Sequence, residues 1–143
     1  EGLKPEDLLP GTETTCADAL LAVHKSFLKP VLKVMEAGVD IHGMAHITGG
    51  GFDENIPRIL QEGQGIHVEE GSWEILPIFR FLEKHGNISH REMFNIFNMG
   101  VGMVLAMDES EAQKAIDILA SHGDKATVIG SVTATPGVDI KLL

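Results

Sequence analysis

The sequence predicts an α+β fold, in which helices pack on a mixed, partly antiparallel sheet. Segments typical of helices alternate with segments typical of strands along the whole chain. The last two predicted strands, 126–134 and 138–143, are joined by a turn around Pro136 and Gly137, which is too short for a parallel crossover. With 143 residues, the chain has the length of one domain with its own core.

The N-terminal quarter of the chain predicts an arm followed by a kinked helix. Residues 1–14 are rich in Pro, Gly and Thr, which indicates a linker or N-terminal arm before a single domain over 15–143. A helix is predicted to begin at Thr15, to kink at Pro30 and to end at Gly38. The apolar face of this helix would consist of Leu20, Leu21, Val23, Phe27 and Leu28.

The middle of the chain predicts two strands with a short helix between them. The apolar segment 41–48 predicts a buried strand, and segment 65–70 predicts a second one that ends in a turn. Between them, three consecutive glycines precede segment 52–60, which predicts a short helix with Asp53 as its N-cap.

Two helices are then predicted before the next strand. Segment 76–86 has the apolar periodicity of an amphipathic helix, and Gly86 is expected to end it. The following helix is expected to begin at Ser89, because Glu92 three residues later completes a capping-box pattern.

The clearest elements of the sequence lie in its last third. Segment 101–108 predicts a central strand of the sheet, because it is apolar up to Met107. Segment 109–123 predicts a helix with Asp108 or Ser110 as its cap and Gly123 as its end.

Composition excludes several classes of function. The net charge of −10 disfavours nucleic acid or an anionic membrane as the main partner, although a few N–H groups could still hold a phosphate. The single cysteine, Cys16, permits no internal disulfide and favours a reducing, cytoplasmic location. No segment has the length of a membrane span or the pattern of a signal peptide. Because the chain begins at Glu1 without a methionine, we expect it to be part of a longer protein.

The glycine triplet Gly49, Gly50 and Gly51 has two interpretations. Successive N–H groups followed by a helix could bind a phosphate, although neither a Walker A loop nor a dinucleotide-binding pattern is present. A plain tight turn explains the triplet equally well.

The histidines allow a metal site but do not favour one. His42 and His46 would share one face of their strand, yet no pattern supplies the third ligand that zinc needs. We therefore predict no metal, and expect His46 to hydrogen-bond a polar substrate or to pack. The other five histidines are expected to be solvated; they are His24, His67, His85, His90 and His122.

Asn98, which precedes Gly100 and Gly102, is the last polar candidate. It can end its helix, or it can mark a second place where the backbone approaches a ligand. The serines and Cys16 lack the surroundings of a catalytic nucleophile. The residues by themselves therefore indicate an α+β domain with a candidate anion loop, and no particular reaction.

Four segments resemble a known enzyme family in the same order along the chain. They are "GMAHITGGGFDENIPRIL", "SWEILPIF", "EMFNIFNMGVGMVLAM" and "HGDKATVIGSV". They resemble the C-terminal half of aminoimidazole ribonucleotide synthetase, also called phosphoribosylformylglycinamidine cyclo-ligase, of purine biosynthesis. The resemblance runs from about Thr15 to the end. It implies an α+β domain that is partnered by an N-terminal domain carrying most of the ATP and magnesium site and the main homodimer contact.

The resemblance also implies a reaction and roles for residues. ATP would activate the formyl amide of formylglycinamidine ribonucleotide, and an amidine nitrogen would then close the ring to give aminoimidazole ribonucleotide. His46 and Thr48 would be catalytic, whereas the substrate and its phosphate would be bound by Gly49, Gly50, Gly51, Asn55 and, as a weaker candidate, Asn98. This chain alone is expected to be inactive.

One departure from the family pattern keeps a second interpretation open. Family members commonly read Leu-Leu-x-Pro-Thr-x-Ile-Tyr before the glycine block, whereas here Val23 and His24 replace Pro-Thr and Phe27 replaces Tyr. Lys25 keeps a positive charge where Arg is frequent. The alternative is a non-catalytic or divergent paralogue domain that binds a phosphorylated small molecule.

Overall fold

The computed structural model describes residues 2–143, so Glu1, the first residue of the predicted arm, lies outside the described residues. Residues 2–15 fold back on the helix that follows them. The N–H of Cys16 donates to the Asp7 carbonyl at 2.8 Å, and the N–H of Ala17 donates to the Pro5 carbonyl at 2.9 Å. Leu9 is buried. The arm is thus bound to the domain by backbone hydrogen bonds and one buried side chain.

Short helices and strands alternate through the described chain. The helices are α1 Cys16–Leu21, α2 Leu28–Glu36, α3 Gly51–Asn55, α4 Pro77–Gly86, α5 His90–Ile96 and α6 Glu109–Ser121, with a 3₁₀ turn at Ile56–Ile59. The strands are β1 Ile41–His46, β2 Gly65–Glu69, β3 Met103–Met107, β4 Gly130–Thr133 and β5 Gly137–Lys141. No helix within residues 2–143 combines the length and apolarity that crossing a membrane requires.

The strands form two sheets, and the α+β class is confirmed. In the first sheet, β1 and β3 pair antiparallel, with His46 opposite Met103. In the second sheet, β2 lies in the middle, antiparallel to β4 and parallel to β5. The prediction of β3 as a central strand is wrong for the described residues, because β3 pairs with β1 alone.

The last two strands run in opposite directions, as the short turn requires, but they are not neighbours. Their connection crosses the start of β2 at Gly65. A Cβ atom there would overlap the Thr135 carbonyl oxygen and lie 2.9 Å from the Gly137 nitrogen. Glycine at position 65 therefore allows β4 and β5 to flank one strand.

The main core lies between the second sheet and helices α3 and α5. Phe52 stacks on Trp73 with ring centroids 5.8 Å apart, and it meets the Phe94 ring edge-on at 5.6 Å. A smaller core joins α2 to α6 through Val34, Val39 and Ala115. The fully buried large side chains are Phe52, Phe94, Ile47, Ile56, Met93, Met99, Val34 and Val68.

The single kinked helix predicted before residue 38 is wrong. Thr15 caps α1 as expected, accepting a hydrogen bond from the Asp18 N–H at 3.1 Å, but α1 ends at Leu21. Residues 22–27 are not helical. Pro30 lies in the first turn of α2, where its missing N–H breaks no helical hydrogen bond. The predicted apolar face is largely exposed, at Leu20, Leu21, Val23 and Leu28.

The sequence also predicts the residues that begin α5 and α3 and the residue that ends α4. Ser89 caps α5, accepting a hydrogen bond from the Glu92 N–H at 3.3 Å, which confirms that prediction. The cap at Asp53 is wrong, because α3 begins one residue after Gly50. α4 ends at Gly86, which confirms that prediction, although the left-handed residue is the following Asn87, with φ +51°.

Candidate functional site

β1 carries the exposed polar side chains toward one end of the first sheet. Ala45 and Ile47 point into the core, so Met44, His46 and Thr48 lie on the opposite, exposed face. His46 is the last residue of β1. We define residues 48–51 as the glycine loop. His46 at the end of β1 and Thr48 at the start of this loop are therefore both presented to solvent.

His46 meets a second histidine that is distant in sequence. Its Nε2 atom lies 3.3 Å from Nε2 of His24, and the two rings meet edge-on with centroids 5.1 Å apart. The Phe27 ring lies 5.8 Å from the His46 ring and 6.1 Å from the His24 ring. His24 is exposed in a loop, as expected, but its contact with His46 places it at the candidate site.

The segment 22–27 is held in place at two points. Lys25 forms an ion pair with Asp124, which follows α6. Phe27 packs on Gly102, where a Cβ atom would overlap its ring. Because the Ile47 N–H donates to the Gly102 carbonyl at 3.0 Å, the same glycine also joins β1. These contacts fix His24 over the end of β1.

A groove of about 590 Å³ runs beside the two histidines. Its apolar wall comes from α2 and from the exposed faces of β1 and β3, and Lys25 is the charged residue among its lining groups. The lining residues are His24, Lys25, Ser26, Phe27, Leu28, Val31, Leu32, Met35, Met44, His46 and Met103. A ligand with both an apolar and a polar part fits such a lining.

The three glycines have different environments. Gly51 has φ +53°, and a Cβ atom there would overlap the Phe94 carbonyl oxygen and lie 2.9 Å from that of Phe97. Gly50 has φ +88°, which side chains rarely adopt. Gly49 has open space around it and no left-handed backbone. A tight turn packed on α5 thus requires two of the glycines, and only the first faces free space.

The loop leaves backbone donors available. The Gly51 N–H donates to the Thr48 carbonyl at 3.1 Å. Within residues 2–143, the N–H groups of Gly49 and Gly50 find no acceptor. Adjacent N–H groups of this kind are the donors that phosphate oxygens attract.

The side chain of Asn55 holds the glycine loop through hydrogen bonds. It is buried, and its side-chain nitrogen donates to the carbonyls of Gly51 at 2.7 Å and Gly49 at 3.2 Å. The Thr48 hydroxyl donates to the Asn55 oxygen at 3.4 Å. The side chain of Asn55 is therefore occupied by the loop itself and holds the Gly49 and Gly51 carbonyls in place.

Asn98 organises a second loop. Its side-chain oxygen accepts the Gly100 N–H at 3.0 Å, while Met99, with φ +48°, is buried and accepts a hydrogen bond from Trp73 through its carbonyl at 2.9 Å. This loop reaches β1 through Gly102. The structure thus gathers His46, Thr48, the glycines and Asn55 at one place, and connects Asn98 to it through the backbone.

A bidentate ion pair lies beside α3. Arg91 donates to both carboxylate oxygens of Asp53, at 2.6 and 2.8 Å, and this hydrogen bonding raises the pKa of the Arg91 guanidinium. The charge of Asp53, one turn from the free N–H groups of the loop, is thereby neutralised.

Sequence reasoning missed a buried polar cluster at the end of β2. The carboxylate of Glu70 accepts from Arg80 at 3.2 Å and from the Leu143 N–H at 3.1 Å, and it lies 2.7 Å from Nε2 of His90. Nδ1 of His90 lies 2.8 Å from a Glu83 oxygen. His90 is thus not a solvated histidine, and we define these residues with Glu83 as the Glu70 cluster.

The environment of Glu70 has opposing effects on its acidity. Burial by itself would raise the pKa of this carboxyl, but the hydrogen bonds from His90, Leu143 and Arg80 and the charge of His90 lower it below its ordinary value of 4.5. The cluster joins β2, α4, α5 and the C-terminal residue. Its position on the core side assigns it to stability, and in the described chain no group of three or more His, Cys, Asp or Glu side chains is placed to hold a metal ion.

Comparison with known proteins identifies the family to which this chain is similar. The profile of the family described as "AIR synthase related protein, C-terminal domain" matches residues 5–142. The phosphoribosylformylglycinamidine cyclo-ligase of Bifidobacterium longum (strain DJO10A) is 51% identical over 126 residues, which cover 87% of this chain and 36% of that protein. The Bacillus mycoides (strain KBAB4) protein of the same name is 47% identical, covering 88% and 36%. The chain thus spans about a third of these relatives.

Solved structures share the fold. A chain in the HypE-HypF complex superposes with a TM-score of 0.62 at 21% identity, covering 88% of this chain and 44% of that chain. Escherichia coli HypE, a hydrogenase maturation protein, gives 0.59 at 23% identity, covering 79% and 35%. At this identity the likeness concerns the arrangement of helices and strands alone.

Proposed function

The chain belongs to the family of AIR synthase related proteins, C-terminal domain, and from this premise we propose that it is the substrate-side part of a phosphoribosylformylglycinamidine cyclo-ligase. The expected reaction is the ATP-dependent conversion of formylglycinamidine ribonucleotide to aminoimidazole ribonucleotide in the cytoplasm. One observation carries the proposal: the exposed His46 ring and the free N–H groups of Gly49 and Gly50 lie at the same end of β1.

Each predicted residue can serve one need of that reaction. The two free N–H groups would hold phosphate oxygens of the substrate. The His46 ring would donate a hydrogen bond to the formyl amide or to a phosphate oxygen, on which negative charge develops. The Thr48 hydroxyl, already oriented by Asn55, would position the amide. Asn55 and Asn98 would act by holding the two loops in shape.

ATP and magnesium are assigned mainly to a preceding domain. The described residues offer no cluster of carboxylates and histidines for a metal ion, and the glycine loop lacks the lysine of a Walker A loop. When bound, ATP would supply the phosphoryl group that activates the amide oxygen. This chain would contribute the binding and orientation of the substrate.

The exposed apolar side chains support a domain interface next to the site. Leu20, Leu21, Val23 and Leu28 are all exposed, and they flank His24 in sequence. Apolar patches of this kind mark interaction surfaces in soluble proteins. We assign this face, defined as the open face, to the N-terminal domain of the longer polypeptide, which would also provide the homodimer contact.

Turnover by the longer polypeptide tests the proposal. His46→Asn is expected to lower kcat on the order of a hundredfold, because it removes a donor from the developing charge. The matched control is His42→Asn, since His42 lies on the same face of β1, four residues before His46 and outside the residues that line the groove. Near-normal turnover in folded His46→Asn would remove His46 from the reaction.

The specific contact between His24 and His46 also favours the alternative function, a divergent paralogue that binds a phosphorylated molecule. In the family pattern a threonine stands where this chain has His24, so the groove next to His46 has a different polar lining. Calorimetric binding of a ribonucleotide phosphate by the longer polypeptide, without cyclo-ligase turnover, would support this alternative.

A further inference from the structure

We propose that His24 is a positioning residue that fixes the protonated nitrogen of His46. This inference rests on the proposed function of His46. The two Nε2 atoms lie 3.3 Å apart, so one of them must donate and the other must accept. The tautomer of each ring therefore depends on that of the other.

If His46 is to donate a hydrogen bond to a ligand, the contact between the two rings permits only one pair of tautomers. Nε2 of His46 faces His24, and among the described residues Nδ1 of His46 has no hydrogen-bond partner. A donor directed at the ligand must then be the Nδ1–H group. This requires His24 to donate its Nε2–H to Nε2 of His46.

The surroundings make His24 a fixed partner. The Lys25–Asp124 ion pair and the packing of Phe27 on Gly102 hold the residues that follow it. Lys25 is the charged side chain that lines the groove beside the two histidines, and its charge is neutralised by Asp124. The pair of histidines thus orients itself through its own hydrogen bond, and among residues 2–143 neither ring has a carboxylate contact such as the one His67 makes with Asp139.

Nitrogen NMR of the 143-residue chain tests this directly. In mildly alkaline solution, ¹⁵N chemical shifts and long-range couplings should identify His46 as the Nδ1–H tautomer. His24→Phe keeps a ring at the edge-on contact but removes the donor, and should convert His46 to a mixture or to the Nε2–H form. His24→Gln retains an N–H donor and should preserve the Nδ1–H form. His42→Gln is the control on the same strand face.

Kinetics of the longer polypeptide then separate the two proposals. His24→Phe should lower kcat on the order of tenfold with little change in KM, and His24→Gln should restore most of it, as expected for a residue that orients a functional histidine. An unchanged His46 tautomer in His24→Phe, or a changed tautomer with unchanged kcat, would overturn the role of His24. Wild-type protein without cyclo-ligase turnover would overturn the proposed function, while the tautomer measurement would still decide the contact.

Discussion

The two sides of His46 differ in how far the chain completes its own packing. On one side, the glycine loop leads into α3 and the 3₁₀ turn that follows it, where Phe52 and Ile56 are 0% exposed. On the other side, Leu21, Val23 and Leu28 are 79%, 95% and 66% exposed. Both sides carry large apolar side chains in sequence. The first side is closed by the chain itself, and the second is the open face that we assign to another domain.

This difference has an energetic meaning. Burial of a Val or Leu side chain contributes about 1.5–3 kcal/mol to stability. Covering the exposed side chains of the open face would therefore add several kcal/mol of stabilisation that this chain alone lacks. The closed side uses such contacts to fix the glycine loop against α5. The site therefore combines a half that is packed by this chain with a half whose large apolar side chains are exposed.

The largest expected effect comes from the closed side. Gly51→Val should lower the free energy of unfolding by about 4 kcal/mol or more, because the new side chain would meet the Phe94 and Phe97 carbonyls at a left-handed residue. Gly49→Val is the matched control, with an expected loss below about 1 kcal/mol, since its Cβ faces open space. Urea unfolding of the 143-residue chain measures both, and equal midpoints would mean that the loop is not packed on α5.

A smaller loss of stability is expected from a substitution in the Glu70 cluster, which connects α5 on the closed side to β2 and α4. Because the pKa of Glu70 is lower in the folded chain than its ordinary value of 4.5, its contribution is present above that pH and is lost as the pH falls through the folded value. Glu70→Gln should cost about 1–3 kcal/mol at neutral pH, and the difference from wild type should shrink in acid. A difference that is constant from pH 7 to below pH 4.5 would contradict this assignment.

The features that the sequence predicted correctly depend on residues that are close together along the chain. The hydroxyl caps at Thr15 and Ser89 form as expected, because capping needs only residues three apart. The α+β class and a strand within segment 41–48 also follow from the pattern of apolar residues, although β1 ends at His46 and has one exposed face, so the prediction of a buried strand is wrong. The two positive-φ glycines of the loop confirm that a tight turn is present, while the phosphate role of the loop stays a prediction.

Other features depended on contacts that the sequence pattern does not contain. The apolar residues 20–28 have helical spacing, but that spacing does not reveal whether the face is covered by this chain or by another domain. His24 reaches His46 across 22 residues, and His90 reaches Glu70 across 20. Both were therefore expected to be ordinary solvated histidines.

Amide hydrogen exchange tests the central claim, the contrast between the closed side and the open face, most directly. It would be compared between the 143-residue chain and the longer polypeptide that includes the preceding domain. Amides of residues 20–28 should exchange at least about tenfold more slowly in the longer polypeptide, which corresponds to about 1.4 kcal/mol of added protection, while amides of residues 52–56 should change little. Equal exchange of residues 20–28 in the two proteins would contradict the account.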